Sequence, residues 1–152
     1  MIDRRILDII PESADSVIAV LDCGHRRHIR HRPPLELHPW ILDPADRAAR
    51  IGQRIECGRC EQLELPAGAT CYKQTPEFTA ATIPPGLLKD HTLKAGTWAQ
   101  IVVLAGQLRY RINAPLAREL LLGPGTIGVV PPDVPHAIEP LGEVRLRIDF
   151  YR

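Results

Sequence analysis

The chain has almost no net charge, no long apolar run and few aromatic rings, and each shortage excludes something. A formal net charge of +1 gives no global field to draw it onto nucleic acid or a membrane surface. No apolar stretch approaches the ~18 residues of a membrane span. The charged opening Met1-Ile2-Asp3-Arg4-Arg5 lacks the apolar core of an export signal. The expectation is therefore a cytoplasmic protein with no membrane partner. Aromatic residues make up 5% of the chain, and no stacking platform for bases is expected beside its arginines. Long helices are disfavoured as well, because fifteen prolines spread along the chain favour short strands and turns. A length of 152 residues accommodates one domain or two small ones.

What the chain does have is concentrated. Three of the four cysteines and three of the six histidines fall in two short clusters. The first is Cys23-Gly24-His25 with His28 and His31; the second is Cys57-Gly58-Arg59-Cys60. Each follows a strand-like run, Val17 to Leu21 and Arg54 to Glu56. A strand ending in a Cys-x-His or Cys-x-x-Cys turn makes a zinc knuckle, with glycine letting amides and thiolates converge. Cys23, His25, Cys57 and Cys60 complete a tetrahedral set with no open position, so such a site holds structure and does no chemistry. His28 and His31 compete with His25 for the histidine place, and Cys-x-His closes more tightly. Disulfide pairing is the competing use of four cysteines, and a reducing compartment favours metal.

Around these clusters, Ile6 to Pro11 reads as an apolar lead-in ended by proline. Trp40-Ile41-Leu42 reads as a hydrophobic plug beneath the metal. Asp43-Pro44-Ala45-Asp46 is the clearest helix start, with Asp43 as cap, Pro44 in the first turn and Gly52 as the stop. Seven arginines lie between Arg26 and Arg54. Glu36, Asp43, Asp46 and Glu56 interrupt them, so a solvated basic face is favoured over a nucleic-acid interface.

Leu21-Asp22-Cys23-Gly24-His25, His28, Arg30-His31, Pro33-Pro34, Pro39-Trp40, Gly52 and Cys57-x-x-Cys60 together resemble a small bacterial zinc-finger-like domain of unknown function. The resemblance covers roughly residues 13–63. Pro66 and Gly68 then mark a linker, which places a zinc-knuckle domain with one short helix at 1–65 and a second domain at 66–152.

From Thr70 the texture changes to short strands punctuated by Gly and Pro, which predicts a sandwich or barrel. Strands are expected at Trp98–Ala105, Gln107–Ile112, Arg118–Leu122, Ile127–Val130, His136–Glu139 and Val144–Tyr151. Gly125 to His136 resembles the second motif of cupins, with Asp133 where that motif usually has Gly. The first motif's His-x-His pair is missing, so a three-His-one-Glu metal site does not carry over. Thr75-Pro76-Glu77-Phe78, Pro84-Pro85-Gly86, His91-x-x-Lys94, Gly96-Thr97, Val130-Pro131-Pro132, His136 and Ile148-Asp149-Phe150 resemble the tellurite-resistance-associated, TehB/YeaR-like cupins. The resemblance implies a mainly β chain whose second domain is a cupin-like double-stranded β-barrel, with a homodimer through that domain.

It also makes His91, His136 and Asp149 candidate ligands for a second divalent metal, Zn or Fe, or a lining for a small-molecule or oxyanion pocket. Period-two alternation leaves Asp149 open: Leu146, Ile148 and Phe150 share one strand face and Asp149 takes the other. Glu139 is a weaker alternative, Lys94 a group that could position an anion, and Cys71 a half-buried thiol. No residue is singled out as catalytic. The favoured function is a non-enzymatic metal-binding protein, a structural zinc finger joined to a small-ligand or metal-binding cupin in a tellurite-type stress setting. A metal-dependent cupin enzyme and a nucleic-acid-binding regulator are the alternatives.

Overall fold

The computed structural model describes residues 1–152. It is mainly β, and its packing separates two compact units, Met1–Gly58 and Arg59–Arg152. The cut lies earlier in the chain than the Pro66-Gly68 linker. No helix is long and apolar enough to cross a membrane.

The first unit is an antiparallel sheet of strands β1 (Asp3–Ser13), β2 (Ser16–Leu21), β3 (Arg26–Arg30) and β4 (Arg54–Glu56), in the order β3-β2-β1-β4. Residues 3–13 form a full strand, although Pro11 argues against one. The reason is register. Strand β4 pairs with residues 3–5 of β1 and the Ile6 amide still donates to Gln53, but β4 does not extend along that edge to residue 11, so a proline is tolerated there. Strand β3 is the other element with no apolar alternation to betray it, since only Ile29 of its five residues is buried.

Between β3 and β4, helix α1 (Pro44–Ala49) starts where Asp43 accepts the Asp46 amide at 3.0 Å. The plug is Ile41, which is fully buried, whereas Trp40 stays half-exposed under the Arg50 guanidinium at 5.0 Å. One arginine therefore does have an aromatic partner, contrary to expectation, through a cation–π contact. A second short helix, α2 (Gly58–Glu61), follows β4, so this region carries two helices where one was expected.

The second unit pairs two antiparallel sheets. One contains β5 (Cys71–Gln74), β7 (Trp98–Ala105), β10 (Ile127–Val130) and β12 (Arg145–Tyr151) in the order β10-β7-β12-β5, with β6 (Phe78–Thr79) also on β12. The other is β11 (His136–Pro140), β8 (Leu108–Ile112) and β9 (Arg118–Leu122), with β8 central. Alternation places Leu108, Tyr110 and Ile112 of one sheet, and Ile101, Leu146 and Ile148 of the other, in the buried layer. The Tyr110 hydroxyl donates to the Val129 carbonyl at 2.8 Å and ties the sheets together. Burial pushes that phenol's pKa up. Strand β12 lies against β7, so the last strand pairs with one far earlier in the chain (Ala105 opposite Arg145, Trp98 opposite Tyr151).

The tight turn between β7 and β8 rests on Gly106, at φ +79°. A Cβ there would collide with the Glu143 carbonyl oxygen, a backbone atom that cannot swing aside. Gly106→Ala is expected to lower unfolding stability by about 2–3 kcal/mol, combining left-handed strain with displaced backbone. Urea denaturation checks this, and an unchanged midpoint would contradict it.

Candidate metal centre and an inter-sheet cavity

The chain leaves β2 through Asp22-Cys23-Gly24, where Gly24 takes φ +92°. The Gly24 amide donates to Leu21 and the Leu21 amide donates to His25, closing a knuckle that turns Cys23 and His25 inward. The Cys57 amide donates to Ile2, extending the β1–β4 ladder by one residue and fixing the second pair of donors. Cys60 follows one helical turn later in α2, which the division between units cuts, so it belongs by chain continuity to the turn that Cys57 opens.

All four side chains are buried, and the ligand atoms of Cys23, His25, Cys57 and Cys60 lie within 4.8 Å of one another. The His25 Nδ1 is 3.4 Å from the Cys23 sulfur and 3.2 Å from the Cys57 sulfur. The two sulfurs are 3.9 Å apart. Zn–S bonds of about 2.3 Å in a tetrahedron put neighbouring sulfurs about 3.8 Å apart, so the donor set has the size of a zinc site. The same spacing is far beyond a disulfide bond, and all four cysteines are free thiols. Electrostatics points the same way. Burial alone would lower the His25 pKa, but hydrogen bonds and charge from Cys23 and Cys57 overcome it and raise it to about 9. The cluster attracts positive charge.

The other histidines of this region lie elsewhere. His28 is exposed and sits 3.2 Å from the Glu12 carboxylate. The His31 Nδ1 accepts the His38 amide at 3.0 Å.

In the second unit, His91 and His136 meet as an isolated backbone bridge, each amide donating to the other's carbonyl. Their rings stand edge to face, with centroids 5.2 Å apart. Both line a cavity of about 20 Å³ between the sheets, together with Ala99, Ile101, Ile138 and Ile148. Asp149 does not join them. Ile148 and Phe150 line the cavity, so the intervening Asp149 faces away, where the Arg147 guanidinium holds it at 3.0 and 3.4 Å. It is only 5% exposed, a paired group under cover and neither a ligand in the cavity nor a solvated charge.

The remaining candidates are placed as plainly. Glu139 is exposed and pairs with Arg109 at 3.3 Å. Lys94 and Cys71 are both exposed. Asp133, standing where the cupin motif has Gly, takes φ +58°, a conformation that Asp tolerates better than most residues. The expected convergence of His91 and His136 inside the second domain is seen, although it is made by a single isolated bridge between β11 and the loop carrying His91 and not by two paired strands.

Comparison with known proteins finds two separate matches along the chain. A TehB-like domain model matches residues 73–148. A family of unknown function, DUF3565, matches residues 11–64. A probable S-adenosyl-L-methionine-dependent methyltransferase TehB from Haemophilus influenzae strain Rd is 31% identical over 86 residues, 53% of this chain and 30% of that protein. The chain thus spans under a third of the curated relatives it matches. The crystal structure of Haemophilus influenzae TehB superimposes with a TM-score of 0.51 at 30% identity, over 55% of this chain and 31% of that one. A structural-genomics crystal structure of an Escherichia coli K12 protein gives a TM-score of 0.54 at 24% identity, over 59% of this chain and 95% of that one, a likeness of fold.

Burial lowers the His136 pKa from 6.5 to about 4, against a hydrogen bond to the Val134 carbonyl and helped by His91. Between those values the unfolded chain binds a proton that the folded chain refuses. Stability therefore falls as pH drops through 6.5 towards 4, by on the order of 3 kcal/mol when complete. The acid limb of a stability–pH curve is expected to be shallower in His136→Gln, and equal slopes in the two proteins would refute the assignment.

Proposed function

The chain belongs to the TehB-like domain family, and from that premise we propose that it is a cytoplasmic, non-enzymatic metal-binding protein. A structural zinc in the N-terminal domain is joined to a small-ligand-binding barrel. The observation that carries the metal reading is the buried set of four donor atoms within 4.8 Å of one another. Three thiolates and one imidazole suit Zn²⁺, fill its tetrahedron and leave no place for substrate, so the ion's task is to hold β2, β4 and α2 together. The two family matches fall on either side of the 65/66 boundary, which supports treating 1–65 and 66–152 as separate domains.

The family name and the metal-attracting cluster support oxyanion or metal stress of the tellurite type as the setting; a homodimer through the barrel is part of the same proposal. Methyl transfer, named for the Haemophilus protein, is not extended to a chain that spans under a third of it. A metal-dependent enzyme built on His91, His136 and an acid would need a carboxylate in the cavity, and Asp149 faces the other way.

Elemental analysis of the purified full chain is expected to give about one zinc per molecule, and Cys57→Ser to reduce this by tenfold or more. Stripping the zinc with a strong chelator should unfold the N-terminal domain, read as loss of amide dispersion for residues 1–65. Wild-type protein that stays fully folded without zinc would sink the structural role.

A further inference from the structure

The inter-sheet cavity has room for one or two heavy atoms as its side chains stand. Its wall is apolar except for two imidazoles, and their hydrogen bonding specifies a guest. The His136 Nδ1 lies 3.3 Å from the Val134 carbonyl oxygen. A carbonyl only accepts, so Nδ1 carries the proton and Nε2 is the bare acceptor that the ring offers. The His91 Nδ1 is buried and has no hydrogen-bond partner in the protein. A buried polar atom left so costs about 1–3 kcal/mol, and native proteins keep one where something else satisfies it.

Charge narrows the class. No cationic side chain lines the cavity: Arg147 is on the opposite face of β12 with Asp149, and Lys94 is exposed. Burial keeps His136 neutral at ordinary pH. An oxyanion would lose its hydration and meet no countercharge. A divalent cation would meet two imidazoles and no carboxylate.

We infer that the cavity between His91 and His136 binds a neutral hydrogen-bond donor of one or two heavy atoms, which gives its O–H or N–H to the His136 Nε2. Water is the resident guest, and small hydroxyl compounds are the class that displaces it. The inference rests on the reading of the barrel as a small-ligand binder and narrows it, excluding oxyanions from the interior.

The test uses the full-length, zinc-loaded protein with ¹⁵N-labelled histidine. Its ring nitrogens are followed in long-range proton–nitrogen spectra while methanol, tellurite or xenon is added. The His136 Nδ1 is expected to be protonated, and the Nε2 resonance to shift with methanol in a saturable way as methanol displaces water. Tellurite should leave both rings unmoved. His91→Leu should weaken the methanol effect several-fold. Ala99→Val, which fills the cavity and keeps both rings, should abolish it. A protonated Nε2, a methanol shift that never saturates, or a saturable shift unchanged by Ala99→Val would each overturn the inference. Saturable movement with tellurite would overturn the ligand class and leave the ligand-binding reading standing. Xenon binding with methanol inert would reveal an apolar void, and no response to any probe would overturn both.

Discussion

Three sulfurs and one imidazole nitrogen, buried within 4.8 Å of one another, are the constraint on which the N-terminal sheet depends. The four donors come from two turns more than thirty residues apart in sequence (Cys23 and Cys57). Strand β1 reconciles them. It pairs with β2 on one side and β4 on the other, so the turn after each of those strands is delivered to the same end of the sheet. The long first strand is thus the frame of the metal site, although it contributes no ligand. Without a cation the crowded sulfurs and their burial oppose each other, because electron-rich atoms cut off from water need positive charge nearby.

The same residue type meets opposite fates in the two units. His25, beside the Cys23 and Cys57 sulfurs, is held at a pKa of about 9. His136, among Ile101, Ile138 and Ile148, is pressed down to about 4. Burial pushes both down; at His136 it decides the direction, whereas at His25 the hydrogen bonds and charge of Cys23 and Cys57 overcome it. The first environment gathers cations, and the second keeps its imidazole neutral. That contrast separates a cluster with the donor set for a metal from a cavity whose wall is apolar apart from its two imidazoles, and it follows from which side chains the sheets turn inward.

Much of the architecture was legible because it rests on local signals. Asp43-Pro44 opens helix α1 where expected, since a cap acts on the chain within a few residues; the helix closes on Arg50, and the left-handed Gly52 lies two residues further on, its amide donating to Ile6. The strands from Trp98 onward fall where apolar runs end in Gly or Pro. Strands β1 and β3 were less legible. Pro11 stands opposite Val17 of β2 and is tolerated because β4 does not extend along the other edge of β1 to it. Arg26 to Arg30 is held as a strand by pairing with β2 and not by its own pattern.

The sequence by itself determined that Cys23, His25, Cys57 and Cys60 would be presented in tight turns, because Cys-x-His and Cys-x-x-Cys spacing sets local geometry. It also determined that the second half would be short antiparallel strands. Only the tertiary structure decided which histidine joins the sulfurs, since His25, His28 and His31 are separated by the direction in which β3 leaves the knuckle. Only it decided that Asp149 turns from the cavity to Arg147. Alternation shows that Asp149 and Ile148 face opposite ways, but which face lies inside depends on the second sheet packing against Ile148, a contact made between strands distant in the chain.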